Sequence, residues 1–331
     1  MINNKIDLYL ENVKALEDVK GSWGMYGIQI KSSALNCTLK NQRVDTERIN
    51  SALAVIKNNT SIFSNFRGIN KLTTALAISF EENMEESLKQ ILSIYNKLKS
   101  EFSGSEYLVI ASQVLFNARY RVNIDDAVKN TKSAYDYMKK HHRFLTGRED
   151  IANAAIIATT SFDLEETFKD IEECYEKLKA ERISTSNNLQ ALSQILSLIN
   201  LPAEQKCSAV LEMNSILREK KATLKDYFVP MLGILSFISD NKQGFAENVV
   251  KASEELKMHK GFGNFTLGSN YRNMISAVLV SADYLDDLDD NMKENIINNT
   301  NNITLTVAIA IQTAILISTA AAVSASVNAS S

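Results

Sequence analysis

The sequence predicts an all-α protein of stacked helical hairpins with a period near forty residues, an α-solenoid or an α/α toroid. Three look-alike segments carry that expectation. Asn83-Met84-Glu85-Glu86 is followed by Leu88, Lys89, Ile91, Tyr95, Leu98 and Lys99, and eighty residues on, Asp163-Leu164-Glu165-Glu166 is followed by Phe168, Lys169, Ile171, Tyr175, Leu178 and Lys179. Midway, Asn123-Ile124-Asp125-Asp126 leads to Val128, Lys129, Tyr135, Met138 and Lys139. Such a period marks hairpins that bury their faces on their neighbours. Composition agrees: two prolines (Pro202, Pro230) and 11 glycines in 331 residues leave few helix breaks.

Each unit opens on a cap. Asn83 and Asp163 can accept from the first free amides, with Glu86 and Glu166 at capping-box spacing. Apolar residues then recur as a narrow helical stripe that needs a partner helix. The same register places Cys207, Val210, Asn214 and Leu217 after Pro202, and Ala246, Val249, Ser253 and Leu256 after Asn241. Unit starts therefore fall at 45, 83, 123, 163, 202, 241 and 283, the last at Asp283. Between them lies a more apolar set of helices: Leu72 to Phe80, Tyr107 to Phe116, Ile151 to Thr160, Leu189 to Ile199, Tyr227 to Ile238 and Tyr271 to Val280. These belong to an inner layer, with the charged helices outside. Residues 1–294 form this helical-repeat domain, and 295–331 form a separate tail.

Charge and cysteine usage narrow the function classes. A mixed net charge of -3 offers no basic field to a nucleic-acid backbone, so no nucleic-acid partner is expected. Met1 to Lys20 carries charges throughout and has no apolar run, unlike a secretory signal. Cys37, Cys174 and Cys207 are odd in number and far apart, which argues for buried free thiols in a reducing, cytoplasmic compartment.

The tail is uncharged after Glu294, and Ile303 to Val327 is apolar or small apart from Gln312. One face repeats small residues every four positions (Thr306, Ala310, Ala314, Ser318, Ala322, Ser326), a spacing used between membrane helices. Its length suffices to span a bilayer, yet no Lys or Arg flanks it closely. A soluble tail that docks or self-associates is the favoured reading, with anchoring at the cytoplasmic membrane face as the alternative.

Met138-Lys139-Lys140-His141-His142-Arg143-Phe144-Leu145-Thr146-Gly147, closing on Asp150, resembles a segment of a bacterial family, domain-of-unknown-function family 4003. Asn188-Leu189-Gln190-Ala191-Leu192-Ser193-Gln194-Ile195-Leu196 resembles a second such segment, and Phe66-Arg67 and Ser105-x-Tyr107-Leu108 also fit. Gln194 stands where that pattern would place a histidine. The resemblance spans most of the body and implies the fold; the family brings no activity, substrate or cofactor with it.

No assembled set of reactive groups stands out. His142, Arg143, Thr146, Arg148 and Asp150, with Gln190 on an inner helix, are the candidate ligand-binding residues; the joint would be an anion-binding or acid/base corner with Asp150 as orienter. The simpler account is cations gathered at a helix C-terminus, with Thr146 or Asp150 capping the next helix. His259 stands alone, so no histidine trio for zinc exists. The acidic run Asp283 to Glu294 lacks the spacing and turn glycine of a calcium loop, and Gly261-Phe262-Gly263 lacks the later glycine of a dinucleotide loop. Neither a metal nor a cofactor is expected. Ser22 to Gly27, with the only tryptophan, reads as a cover for the first hairpin, and Tyr95, Tyr135 and Tyr175 read as packing residues. The expected function is that of a non-catalytic binding or scaffold protein with a protein or peptide partner. An enzyme on an α/α toroid and a tail-anchored adaptor are the alternatives.

Overall fold

A computed structural model gives the structure of the chain at residues 2–19, 27–160, 163–286 and Ile315. All regular structure among these residues is helical, with no strand. Residues 22–26, Asp287 to Glu294 and the proposed Ile303 to Val327 span lie outside the described residues, Ile315 excepted. Among the described residues no helix is long and apolar enough to cross a membrane.

Helices α1 (Ile2–Glu17) and α2 (Gly27–Leu39) precede the first expected unit. They are followed by α3 (Thr46–Asn59), α4 (Lys71–Ser79), α5 (Met84–Glu101), α6 (Glu106–Ala118), α7 (Ile124–His141) and α8 (Asp150–Thr160). Then come α9 (Leu164–Ala180), α10 (Ser186–Leu196), α11 (Ala203–Glu219), a 3-10 helix (Asp226–Met231), α12 (Leu232–Leu235), α13 (Lys242–Lys257) and α14 (Ser269–Asp286).

The charged helices start where their caps dictate. Asp45, Asn83, Asn123, Asp163 and Asn241 each accept hydrogen bonds from first-turn amides, and Pro202 stands at the head of α11. Local chemistry thus ties each start to one side chain. Asn123 accepts from the amides of Asp125 and Asp126 at 2.9 and 3.2 Å. Asn123→Ala should therefore lower the unfolding free energy in urea by about 1 kcal/mol, and Asn123→Asp should restore it.

Two expectations are corrected. Asp283 opens no new unit, because it lies in the last turns of α14, whose buried face runs unbroken from Tyr271 to Ala282. The helix expected over Tyr227 to Ile238 is instead the 3-10 helix followed by the single turn of α12. Pro230 removes one amide donor and crowds the preceding turn, so a continuous α-helix cannot form there. Gly233 then lets α12 lie close to α10: a Cβ would meet Ile195 Cγ2 at 3.0 Å and Leu192 Cδ1 at 3.1 Å.

The chain divides into two compact units. The N-terminal unit draws on described residues within Glu11–Ala34, Arg43–Ser161 and Ile315–Ser331. In it α3, α5 and α7 pack on one another in succession, while each pairs with the apolar helix that follows, and α6 lies on α8. Helix α6 is buried from Leu108 to Phe116, as an inner helix that is apolar nearly all round must be. The C-terminal unit draws on described residues within Met1–Leu10, Leu35–Gln42 and Phe162–Ala314. Here α11 packs on both α9 and α13, α10 packs on α9 and the 3-10 helix, and α13 pairs with α14. Tyr9 of α1 meets the edge of Phe262, with ring centroids 5.9 Å apart.

Candidate functional site

The position twelve residues beyond the cap is occupied by Tyr95 in α5, Tyr135 in α7 and Tyr175 in α9. Two of these rings close the gap to the preceding joint between helices. Tyr95 sits edge-on to Phe66 at 5.1 Å, and its hydroxyl accepts from Asn65 Nδ2 at 2.9 Å. Tyr135 sits edge-on to Phe102 at 5.3 Å. Tyr175 is buried. In α11 the same position holds Asn214, and in α13 it holds Ser253. The space at Ser253 is taken by α14: Arg272 Nε donates to Ser253 Oγ at 3.2 Å, and Ser253 Oγ donates to Asn273 Oδ1 at 2.9 Å.

At Asn214 no such replacement comes from the described residues, and a groove of about 860 Å³ opens. Its walls are the α9–α10 joint from Glu181 to Thr185, the α11 side chains Asn214 and Arg218, the stretch from Lys221 to Asp226, and Asn270 and Asn273 of α14. All of these belong to the C-terminal unit. Among the described residues four cations, Arg182, Arg218, Lys221 and Lys225, stand there against two carboxylates, Glu181 and Asp226. None of the four cationic side chains, nor that of Asn214, bonds to another described residue. Asn270 works differently. It accepts from the Lys225 amide at 2.9 Å and donates to the Lys225 carbonyl at 3.2 Å, holding an extended main chain as a neighbouring strand would.

Backbone conformation at the rim is unusual too. Arg182, Lys221 and Asp226 have φ of 53°, 60° and 53°, in the left-handed region. Arg182 and Lys221 sit just past the ends of α9 and α11, where a helix closes on a left-handed residue and glycine is the usual choice. The Ala222 amide closes α11 on the Leu217 carbonyl at 2.8 Å. A side-chain-bearing residue costs about 1–2 kcal/mol in that conformation.

The residues singled out from sequence fall in both units: His142, Arg143, Thr146, Arg148 and Asp150 in the N-terminal one, Gln190 in the C-terminal one. Thr146 and Asp150 are buried and make structural bonds. Thr146 Oγ1 donates to the His142 carbonyl at 3.0 Å, Lys139 Nζ donates to the Thr146 carbonyl at 2.6 Å, and the Gly147 amide donates to Asp150 Oδ2 at 2.9 Å. His142 caps α7, while His141 stacks on Tyr137 at 4.1 Å and so faces elsewhere. Arg143, Phe144 and Arg148 are exposed. Burial pushes the Tyr135 phenol up, and the nearby Asp150 and Glu149 carboxylates add to that. Gln190 is buried within α10. Gln113, on α6, donates to Thr74 Oγ1 of α4 at 2.8 Å.

A model of a family described as protein of unknown function (DUF4003) matches residues 12–314. The chain belongs to that family. Among curated proteins it is similar to the uncharacterized protein YeaA of Bacillus subtilis strain 168, at 24% identity over 249 residues, covering 73% of this chain and 74% of that protein. No solved structure matches. The DUF4003 match takes in both the Met138 to Asp150 joint and the Asn214 groove.

The thiols of this DUF4003 chain are buried and free. Burial pushes Cys37 up to about 12. Cys207 Sγ donates to the Cys174 carbonyl at 3.7 Å; hydrogen bonding with Cys207 raises the Cys174 thiol and lowers its partner's. Among the described residues no group of three or more His, Cys, Asp or Glu side chains forms a metal site. The groove is not legible in the sequence because its residues are scattered from 181 to 273. One signal was present: Asn214 is a polar residue at a ring position.

Proposed function

We propose that this protein is a non-catalytic helical binding protein that receives part of a protein or peptide partner in the Asn214 groove. The observation that supports this most is the missing ring. A position that packs the scaffold in α5, α7 and α9 is given over to an asparagine in α11, and polar side chains with unused hydrogen-bonding capacity surround the resulting space. A purely structural role would favour closing such a gap, since packed rings stabilise a fold and open grooves do not. Among the described residues no histidine or cysteine lines the groove, so these offer no nucleophile–base pair of the common kinds.

Asn214→Tyr tests the proposal by restoring the ring. Tagged wild-type and variant proteins are produced in the native cells, and co-purifying proteins are quantified by mass spectrometry. At least one partner should be lost in the variant, while thermal unfolding stays within about 1 kcal/mol of wild type. An unchanged set of partners would sink the proposal.

A further inference from the structure

We infer that the segment received by this groove is acidic: a short, extended peptide stretch bearing Asp or Glu side chains. This deepens the function proposed above and rests on it. Arg182, Arg218, Lys221 and Lys225 converge on one hollow with two carboxylates among them, in a chain whose net charge is -3. The cationic excess is therefore local and opposite in sign to the whole molecule, which gives charge complementarity toward an acidic partner. Cations at the ends of α9 and α11 also complement the helix dipoles. That accounts for Arg182, Arg218 and Lys221 singly. It does not account for Lys225, which precedes a helix, nor for the absence of a ring at Asn214.

The rest of the lining fits a main chain better than a nucleic acid. Asn270 already pairs with an extended backbone in both directions, and Asn214 presents the same amide chemistry with no described bond of its own. Among the described residues no aromatic side chain lines the groove, which leaves single-stranded bases without a stacking platform there.

Fluorescence anisotropy on the full chain tests this with three labelled probes. They are a capped hexapeptide of alternating Glu and Ser, its counterpart with Gln for Glu, and an oligothymidylate. The Glu peptide should bind about ten-fold more tightly than the Gln peptide, and more weakly as salt screens the charges. Arg218→Glu and Asn214→Tyr should each weaken it about five-fold or more. Lys129→Glu, an exposed change in the other unit, should leave it unchanged; circular dichroism confirms that each variant is folded. The inference is overturned if the two peptides bind equally, if neither binds, or if the oligothymidylate binds more tightly than the Glu peptide. Failure here is distinguishable from failure of the proposed function. A groove-dependent partner with a neutral contact segment removes the acidic assignment alone, and unchanged partner recovery in Asn214→Tyr removes both.

Discussion

Asp170→Ala is expected to destabilise the protein by about 3 kcal/mol, while Asp170→Leu combined with Lys206→Met is expected to be neutral or stabilising. Lys206 projects from α11 with a side chain only 1% exposed, and its ammonium pairs with Asp170 of α9. Its other acceptor, the Ile199 carbonyl, is 3.4 Å away. Removing the carboxylate leaves a buried ammonium with one weak acceptor, which is among the costliest single changes a core can suffer. The pair is nevertheless no bargain for the fold. Burial raises the Asp170 carboxyl above its ordinary value, and it does so despite the opposing pull of the Lys206 hydrogen bond and charge. At this carboxyl the pull of Lys206 thus falls short of desolvation together with the repulsion of Glu173 and Glu166, so an apolar pair of similar volume should serve α9 and α11 as well.

The sign of the pH dependence follows. A carboxyl whose folded pKa lies above its unfolded value of 3.8 contributes stability that is full below that value and is lost as pH rises through the folded pKa. The stability of wild type relative to Asp170→Asn should therefore fall on that rise. Urea unfolding of wild type, Asp170→Ala, Asp170→Asn and the Asp170→Leu/Lys206→Met double variant, repeated as pH rises from 3.8, checks both claims. A cost below about 1 kcal/mol for Asp170→Ala would show that the ammonium is not stranded.

What could be read from the sequence was what is local. Asn83, Asn123 and Asp163 announce their helices because a cap acts within three residues of itself. Helix α2 was hidden because Gln29, Lys31, Ser32, Ser33 and Thr38 are buried along with its apolar residues, which blurs the period that marks a helix face. The Tyr227 to Ile238 stretch misled because its apolar content suits a helix while Pro230 forbids one. At the Met138 to Asp150 joint both readings were open on sequence, and Thr146 and Asp150 spend their side chains on bonds within the joint itself, to the His142 carbonyl and from the Gly147 amide. The groove needed the fold, because its four cations come from three separate stretches and only packing brings them together.

Tyr95→Asn, which copies the α11 residue into α5, should cost about 3–4 kcal/mol, whereas the reverse change at Asn214 should cost little. Tyr95 is 8% exposed, and its ring fills the space between α5 and Phe66 of the preceding joint. Its hydroxyl is wedged so closely that a Cβ on Gly104 would lie 2.9 Å from it, a crowding that the glycine of that joint avoids. Shortening the side chain removes the edge-to-face pair, leaves a cavity beside Phe66, and strips the Asn65 amide of its acceptor. Unfolding in urea measures the two variants side by side. Equal costs at 95 and 214, or a neutral Tyr95→Asn, would mean that the twelfth position plays no common packing role, and the missing ring at Asn214 would lose its meaning. A large cost at 95 beside a small one at 214 would instead locate in α11 the place where this chain gives up packing to keep a surface open.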